Sequence, residues 1–580
     1  MKKIAYFETL LKHHKNIIKM IRKPYSILLL FIGISISLNV HAQQWGNYTL
    51  YSTNNGTTTY LIDTNSVNKH TWTHTSTNKT GYSSYLLPGG TLVRTVQHSG
   101  NSFSGGPICG QVQKVDWSGN IIWDYVYSTT SYCTHHDICP MPNGNVLLIA
   151  YERKTATEVT AAGCTSSIEM WPDKIVEVQP VGATGGNIVW EWHAWDHLVQ
   201  NVDPSKANYQ TSIVNHHELL NINYNTQKDW LHMNGVDYNP ILDQVGFSSH
   251  YMSEIYIIDH STTTAQAAGH TGGNSGKGGD LLYRWGNPAA YSATGAQILN
   301  VVHDAHWNPE GVPNAGYFGG YNNKGISATQ SCSDQIALPY NGYNYSIILG
   351  GAYTPASYTL RQASGGGNPN MGSYQVLPNG NMLISIATAG IMKEFDPAGN
   401  LLWSKTATGS VAKAWRYDSC YVYNAAPAIP ALTLSADTLY STAATTYQWY
   451  FNGYLVAGAN SQYYVATTPG NYKVRITDAN GCVYVYSTDF HYTSPAGIND
   501  NHVTNSISIF PNPASGIVNI NVPSSVHDFE IMVTDEIGNL LINEKNKSSV
   551  DMSSFVNGIY FITVKNTVAG NVTQKISLIK

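Results

Sequence analysis

Charge is scarce in this chain. Asp, Glu, Lys and Arg make up 12% of its 580 residues, about half of the roughly 25% usual in soluble domains. Glu, Lys, Ala and Leu are what helices are built from, so the composition argues against a helical protein. The formal net charge is −5 with no block of basic residues, which argues against a nucleic-acid partner. Cysteine is sparse too: seven residues and no Cys-x-x-Cys pair, so no thiolate zinc knuckle is written here. The odd count leaves at least one thiol over if the others form disulfides in an oxidising compartment. No phosphate-cradling loop is present. The stretch Thr271-Gly-Gly-Asn-Ser-Gly-Lys277-Gly278 lacks the first Gly and the closing Ser/Thr of such a loop and reads as a flexible loop. The apolar run from Ser26 to Leu38 falls short of the about 20 residues that span a bilayer.

What the chain has is 40 Tyr, 14 Trp and 51 Gly, the mix of β-strands joined by Gly-containing turns. Two phrases recur. Gly119-Asn-Ile-Ile-Trp123, Gly186-Asn-Ile-Val-Trp190 and Gly399-Asn-Leu-Leu-Trp403 are one, with Gly279-Asp-Leu-Leu-Tyr-Arg-Trp285 a looser copy. Pro88-Gly-Gly90, Pro142-Asn-Gly144 and Pro378-Asn-Gly380, each followed by an apolar run, are the other. Such a Pro-Asn-Gly phrase is a tight turn into a strand. Short strands repeating at intervals of tens of residues predict a β-propeller over residues 43–423, with a long array of β-sandwiches as the competing architecture. The fold class is all-β.

The ends carry different texture. Residues 1–42 contain a basic Met20-Ile-Arg-Lys23, the apolar run, and small residues around Val40-His-Ala42, which read as a signal peptide whose true start is Met20. Residues 424–430 are a linker rich in Ala and Pro. Residues 431–492 alternate as strands and resemble the immunoglobulin-like modules of secreted bacterial proteins; Cys482 lacks a partner on the usual opposite strand. Residues 498–580, with Phe510-Pro-Asn-Pro513, Ile537-Gly-Asn539 and Asn557-Gly-Ile-Tyr560, closely resemble the sorting domain of the type IX secretion system of Bacteroidetes. That resemblance implies export through the periplasm to the medium or the cell surface, with the secretion machinery as a partner. The sequence leaves the oligomeric state open, a homodimer included.

Chemistry concentrates in histidine. Residues 229–259 read as a hairpin turning near Asn239-Pro240, then a third strand. His232 and His250 are equidistant from Ile241, which pairs them at the open end of the hairpin, about 5 Å apart at Cβ. Thr134-His135-His136-Asp137 and His303-Asp-Ala-His306 supply further imidazoles. Neighbours on a strand face opposite sides, so one of His135 and His136 faces a given site, and His136 is preferred. Asn215-His216-His217-Glu218 reads as structural. Cys133 and Cys139 flank the first pair and either bridge or lie buried as thiols.

In order, these motifs are similar to those of the bacterial arylsulfate sulfotransferases: His136-Asp137, Asp229-Trp-Leu-His232-Met-Asn234, Ser248-Ser249-His250 and Val302-His303-Asp304-Ala305. The resemblance spans roughly residues 86–403 and implies a six-bladed propeller with its site on the central axis. It implies transfer of a sulfuryl group from a phenolic sulfate to a phenolic acceptor through a sulfohistidine, with no nucleotide donor, no metal and no cofactor. On that basis His303 is the nucleophile, and His136 and His232 hold sulfuryl oxygens or carry the phenol proton. Asn234, Asp304, His306, Arg284 and Tyr251 contact substrate, and Trp285 and Trp307 are further candidates for the phenol pocket. One position departs: the third motif ends in Arg in the family and in His250 here. Arg offers a permanent charge and a fork of donors, so His250 acts at acidic pH, Arg284 or Lys324 supplies the charge, or activity is altered. The rival readings are a Zn²⁺ or Fe²⁺ site built on His136, His232, His303, His306 and Asp137 or Asp304, and a non-catalytic ligand-binding propeller.

Overall fold

The computed structural model describes residues 46–493, 507–522, 527–566 and 570–580. The proposed export segment, residues 1–42, lies outside them. Among the described residues, six four-stranded antiparallel sheets follow one another between Tyr48 and Tyr417. Four are simple meanders, for example Thr80–Leu86, Leu92–Gln97, Gly110–Val115 and Ile121–Val126, and a fifth has a small hairpin inserted before its outer strand Leu360–Ala363. The remaining sheet is made of the first three strands plus Ala414–Tyr417, which pairs with Tyr48–Ser52. The two ends of the region therefore close on each other, as a β-propeller requires to leave no free edge.

The two sequence phrases fall at fixed places in this plan. Pro88-Gly-Gly90, Pro142-Asn-Gly144 and Pro378-Asn-Gly380 are the turns between first and second strands. Gly144 and Gly380 sit at φ 86° and 87°, where only glycine is free of strain. The Gly-Asn-x-x-Trp phrases open the outermost strands. Their outward residues Ile121, Ile122, Ile188 and Val189 are exposed, while Trp123, Trp190 and Trp403 are buried beneath.

The first strands of successive sheets, and Ala414–Tyr417, pack side by side around the axis. They splay too far apart to form a ladder, so buried backbone N–H groups on their edges need other acceptors. Side chains provide them. Asp137 Oδ2 accepts from Val236 N, Asp237 Oδ2 from Trp307 N, Asp304 Oδ2 from Tyr374 N and Gln375 Oε1 from Arg416 N, at 2.6–3.2 Å. Where strands come closest, glycine is required: a Cβ on Gly235 would sit 2.6 Å from Ala305 N.

After the propeller, a three-stranded and a five-stranded sheet enclose Leu439, Trp449, Tyr472, Val474 and Tyr492. This body is tied to the propeller. Glu310 accepts from Tyr486 Oη at 2.7 Å and pairs with Arg475. Asn274, in the Gly-rich loop, donates to Asp489 at 3.0 Å and accepts from Asn471 at 2.8 Å. The loop expected to be flexible is thus a docking element. Cys482, which lacks a partner on the usual opposite strand of its own sandwich, forms a disulfide with Cys420 at the end of the propeller. Cys133 and Cys139 do not bridge. Both lie on the strand Tyr132–Pro140 and are buried thiols. Six residues along a strand span roughly 20 Å, far beyond the reach of a disulfide. The described residues from Ser508 onward include a three-stranded and a four-stranded sheet around Val518, Ile531, Ile562 and Ile576.

Cys420→Ser with Cys482→Ser should lower the thermal midpoint of the sandwich by releasing a loop closed across 62 residues, a loss of about 4 kcal/mol. Calorimetry of the oxidised protein against the double variant measures it.

Candidate active site at the propeller axis

Of the inner strands whose pairing is irregular, three carry the irregularity at or beside a histidine. Pairing shifts between Thr134 and Ile138, between Met233 and Gly235, and between His303 and His306. At or beside each shift a non-glycine residue takes a left-handed backbone: His136 at φ 47°, His232 at φ 52° and Asp304 at φ 57°. Such conformations cost on the order of 1–3 kcal/mol and concentrate at functional sites. Here they break the alternation of a flat strand and bring side chains toward the axis.

The rings form a chain across the axis. Centroids lie 4.5 Å apart for His136 and His232, 5.0 Å for His232 and His250, and 5.4 Å for His250 and His303. The hairpin turns after Asn239, and His250 N donates to His232 O at 3.2 Å, so these two rings sit side by side. Tyr251 joins them, 5.1 Å from His232 and 4.6 Å from His250. Gly106 covers two of the rings so closely that a Cβ there would lie 2.5 Å from His136 Cε1 and 2.3 Å from His232 Cε1. A cavity of about 450 Å³ opens beside His250, lined also by Tyr224, Asn225, Tyr251, Ser253 and Val301.

Each imidazole has its own support. His232 Nδ1 lies 2.6 Å from Asp229 Oδ2. His303 Nδ1 lies 2.7 Å from Asn323 Oδ1. The Asn323 amide donates to the carbonyls of Asn368 and Met371, so its oxygen faces His303 and accepts Nδ1–H. The lone pair of His303 is therefore on Nε2, and Met371 N donates to it at 3.1 Å. His136 Nδ1 lies 2.8 Å from His135 Nδ1, whose Nε2 lies 2.7 Å from Asp173 Oδ1. Burial pushes His135, His136 and His303 well below the ordinary imidazole value, and mutual repulsion among the rings adds to it. Burial, with His232 and Lys324 nearby, lowers His250 to about 4. Burial pushes the Asp229 carboxyl up, but His232 more than reverses this and holds it below its ordinary value.

Below the rings sits Lys413, buried and paired with both Asp137 and Asp304. Burial alone would lower its pKa, but the two carboxylates raise it, so the ammonium is fixed. Beyond it, a second cavity of about 220 Å³ is lined by Tyr85, Asp237, His306, Trp415 and Tyr421 among others.

A family model described as "Arylsulfotransferase (ASST)" matches residues 30–342. The chain belongs to the arylsulfotransferase family. A second model, "Secretion system C-terminal sorting domain", matches residues 508–580, so this arylsulfotransferase carries an export-sorting tail. No curated protein matches the chain. Among solved structures it is similar to a protein of unknown function from Bacteroides caccae, at 10% identity and a TM-score of 0.36, covering 64% of this chain and 98% of that one. It is also similar to a periplasmic gluconolactonase from Pseudomonas aeruginosa, at 12% identity and a TM-score of 0.34, again over 64% and 98%.

Several residues expected in the arylsulfotransferase site lie elsewhere. Arg284 is buried in an ion pair with Glu254 and donates to the carbonyls of His217 and Leu219, so its charge is already used. His306 stacks on Tyr374, 4.1 Å away, and lines the second cavity. Asn234 accepts from Ser248 Oγ and donates to Val302 O, joining two sheets. Asp304 faces Lys413, away from His303, because its backbone is left-handed. Trp285 and Trp307 belong to the core between sheets. The metal reading fares no better in geometry. Among the described residues, the groups with three ligand atoms within 4.8 Å are His197–His270–Asp280 and Cys420–Asp478–Cys482, neither at the axis. The residues that sequence reasoning missed are His135, Asp173, Asn323, Met371 and Lys413.

The depressed His250 gives the arylsulfotransferase a pH signature. In the unfolded chain His250 protonates near about pH 6.5, whereas in the folded one it protonates near 4. A depressed histidine makes the unfolded state bind more protons, so stability is lost as pH falls through this window and is level above it. His250→Asn should flatten the plot of unfolding free energy between these pH values by up to about 1.4 kcal/mol per pH unit. Denaturant titrations at several pH values measure it.

Proposed function

We propose that this protein moves a sulfuryl group from an aryl sulfate to an acceptor phenol through a sulfohistidine at His303, without a nucleotide sulfate donor. The observation that carries the reading is the state of His303: a buried, neutral imidazole whose Nδ1–H is fixed by Asn323, leaving Nε2 as the nucleophile. A neutral imidazole is a good nucleophile, and its sulfated form is reactive enough to pass the group on.

The donor sits with its sulfur in line between His303 Nε2 and the departing phenolate oxygen. Met371 N–H donates to that same nitrogen, so the loop around Met371 yields before attack. The N–S bond forms as the S–O bond breaks, and the electron pair leaves with the phenolate. His232, backed by Asp229, and His250 serve the sulfuryl oxygens. His136 gives its Nε2 proton to the phenolate and later takes one from the acceptor phenol, a contribution of roughly 100- to 10,000-fold. The phenols occupy the cavity beside Tyr251 and His250. With His250 in place of an arginine, the oxygens meet a neutral donor at pH 7 and the charge of Lys324 from a distance. One lost preorganised donor costs about 100- to 1000-fold, so this site suits slow turnover. The sorting tail points to passage through the periplasm and the type IX machinery to the medium or the cell surface.

The test is incubation of the full chain with 4-nitrophenyl sulfate and phenol. Formation of phenyl sulfate by the wild type and its loss in His303→Ala is the expected result. Release of 4-nitrophenol that ignores the phenol, or a rate that survives in His303→Ala, contradicts the reading. His250→Arg should raise the transfer rate by at least about tenfold.

A further inference from the structure

Adjacent residues on a flat strand cannot meet, since their side chains leave opposite faces. His135 and His136 do meet, because the bulge in Tyr132–Pro140 turns His136 to φ 47°. The result is a line of hydrogen bonds that starts at the axis and ends inside the next sheet. His136 Nδ1 lies 2.8 Å from His135 Nδ1, and His135 Nε2 lies 2.7 Å from Asp173 Oδ1. All three side chains are shut off from solvent, at 0–1% exposure. Tyr151 stacks on the His135 ring, 3.6 Å between centroids and 9° between planes, and fixes its orientation. Asp173 Oδ2 accepts from Met233 N at 3.0 Å, which fixes the carboxyl. Among the described residues no hydrogen-bond partner reaches His136 Nε2, the far end of the line, and the His232 ring lies 4.5 Å from the His136 ring.

We infer that Asp173, His135 and His136 form a buried proton relay that stores the proton between the two halves of the transfer. This rests on the sulfohistidine reading and deepens it. Two arrangements satisfy every hydrogen bond with both rings neutral. In the loaded one, Asp173 is protonated and donates to His135 Nε2, His135 Nδ1–H donates to His136 Nδ1, and His136 presents Nε2–H to the site. In the discharged one, His135 Nε2–H donates to the Asp173 carboxylate, His136 Nδ1–H donates to His135 Nδ1, and His136 presents a bare Nε2. When the phenolate leaves, three protons shift one place: from His136 Nε2 to the phenolate oxygen, from His135 Nδ1 to His136 Nδ1, and from Asp173 to His135 Nε2. One proton is delivered, and the negative charge the donor brought ends on Asp173. The acceptor phenol reverses all three shifts. Neither ring becomes an imidazolium, which matters in a site where burial disfavours that charge. Burial raises Asp173 well above the ordinary carboxylate value, so its proton is retained until it is used. His136 is the residue that touches substrate, while His135 and Asp173 act through it as positioning residues.

Asp173→Asn tests the relay with little disturbance. The amide oxygen still accepts from Met233 N and the amide nitrogen donates to His135 Nε2, so the fold keeps its bonds, but the amide has no proton to give. The line is then locked in the loaded arrangement. A 4-nitrophenolate leaves without a proton, while an unsubstituted phenolate needs one. In the first half-reaction the variant should release 4-nitrophenol within about threefold of the wild type, yet release phenol from phenyl sulfate about 100-fold more slowly or worse. In D₂O the wild-type release of phenol should slow, and the variant's should lose that sensitivity. Equal losses with the two donors, or a wild-type phenol release indifferent to D₂O, overturn the relay and leave the sulfohistidine standing. Absence of any 4-nitrophenol burst in the wild type overturns both.

Discussion

The axis of this propeller is held by side chains reaching across gaps that backbone ladders cannot close. Inner strands that splay leave buried N–H groups, and an unpaired buried donor costs about 1–3 kcal/mol. Asp137, Asp237 and Asp304 each satisfy one such donor on the following strand. Burying carboxylates together would itself be costly. Lys413, from just before the strand that closes the ring, lies between Asp137 and Asp304 and offsets that cost. Closure of the ring and neutralisation of its centre thus depend on one stretch of chain.

That arrangement divides the axis into two ends. On one side of Lys413 lie the clustered imidazoles beside an open cavity. On the other lie His306, Asp237 and a smaller cavity. The bulges set which residues go where. His303 turns to the first side and Asp304 to the second, although they are neighbours. The same device lets His135 stand behind His136 as a partner. Strain at three left-handed residues is what allows consecutive side chains to take different tasks.

Much of this was legible in the chain. The Gly-Asn-x-x-Trp and Pro-Asn-Gly phrases marked turns and outer strands because turn chemistry and buried Trp are local demands. The pairing of His232 with His250 followed from hairpin symmetry. What was hidden were residues whose roles depend on distant partners. Asn323 reaches His303 across 20 residues, Asp173 reaches His135 across 38, and Lys413 reaches Asp137 across 276. No spacing rule encodes these. The alternation rule failed at His135 because it assumes a flat strand. Arg284 and His306 were misplaced for a related reason: residue type marked them as useful, but an ion pair with Glu254 and a bulge had already assigned them. Cys482 lacked a partner only while the search stayed inside its own sandwich.

The central claim is that sulfur passes through His303. The most direct measurement is acid-free rapid quench of the protein with ³⁵S-labelled 4-nitrophenyl sulfate in the absence of acceptor, followed by proteolysis and peptide sequencing. The account predicts label on the peptide containing His303, removable by added phenol. Label confined to another residue, or none while 4-nitrophenol is released, would contradict it.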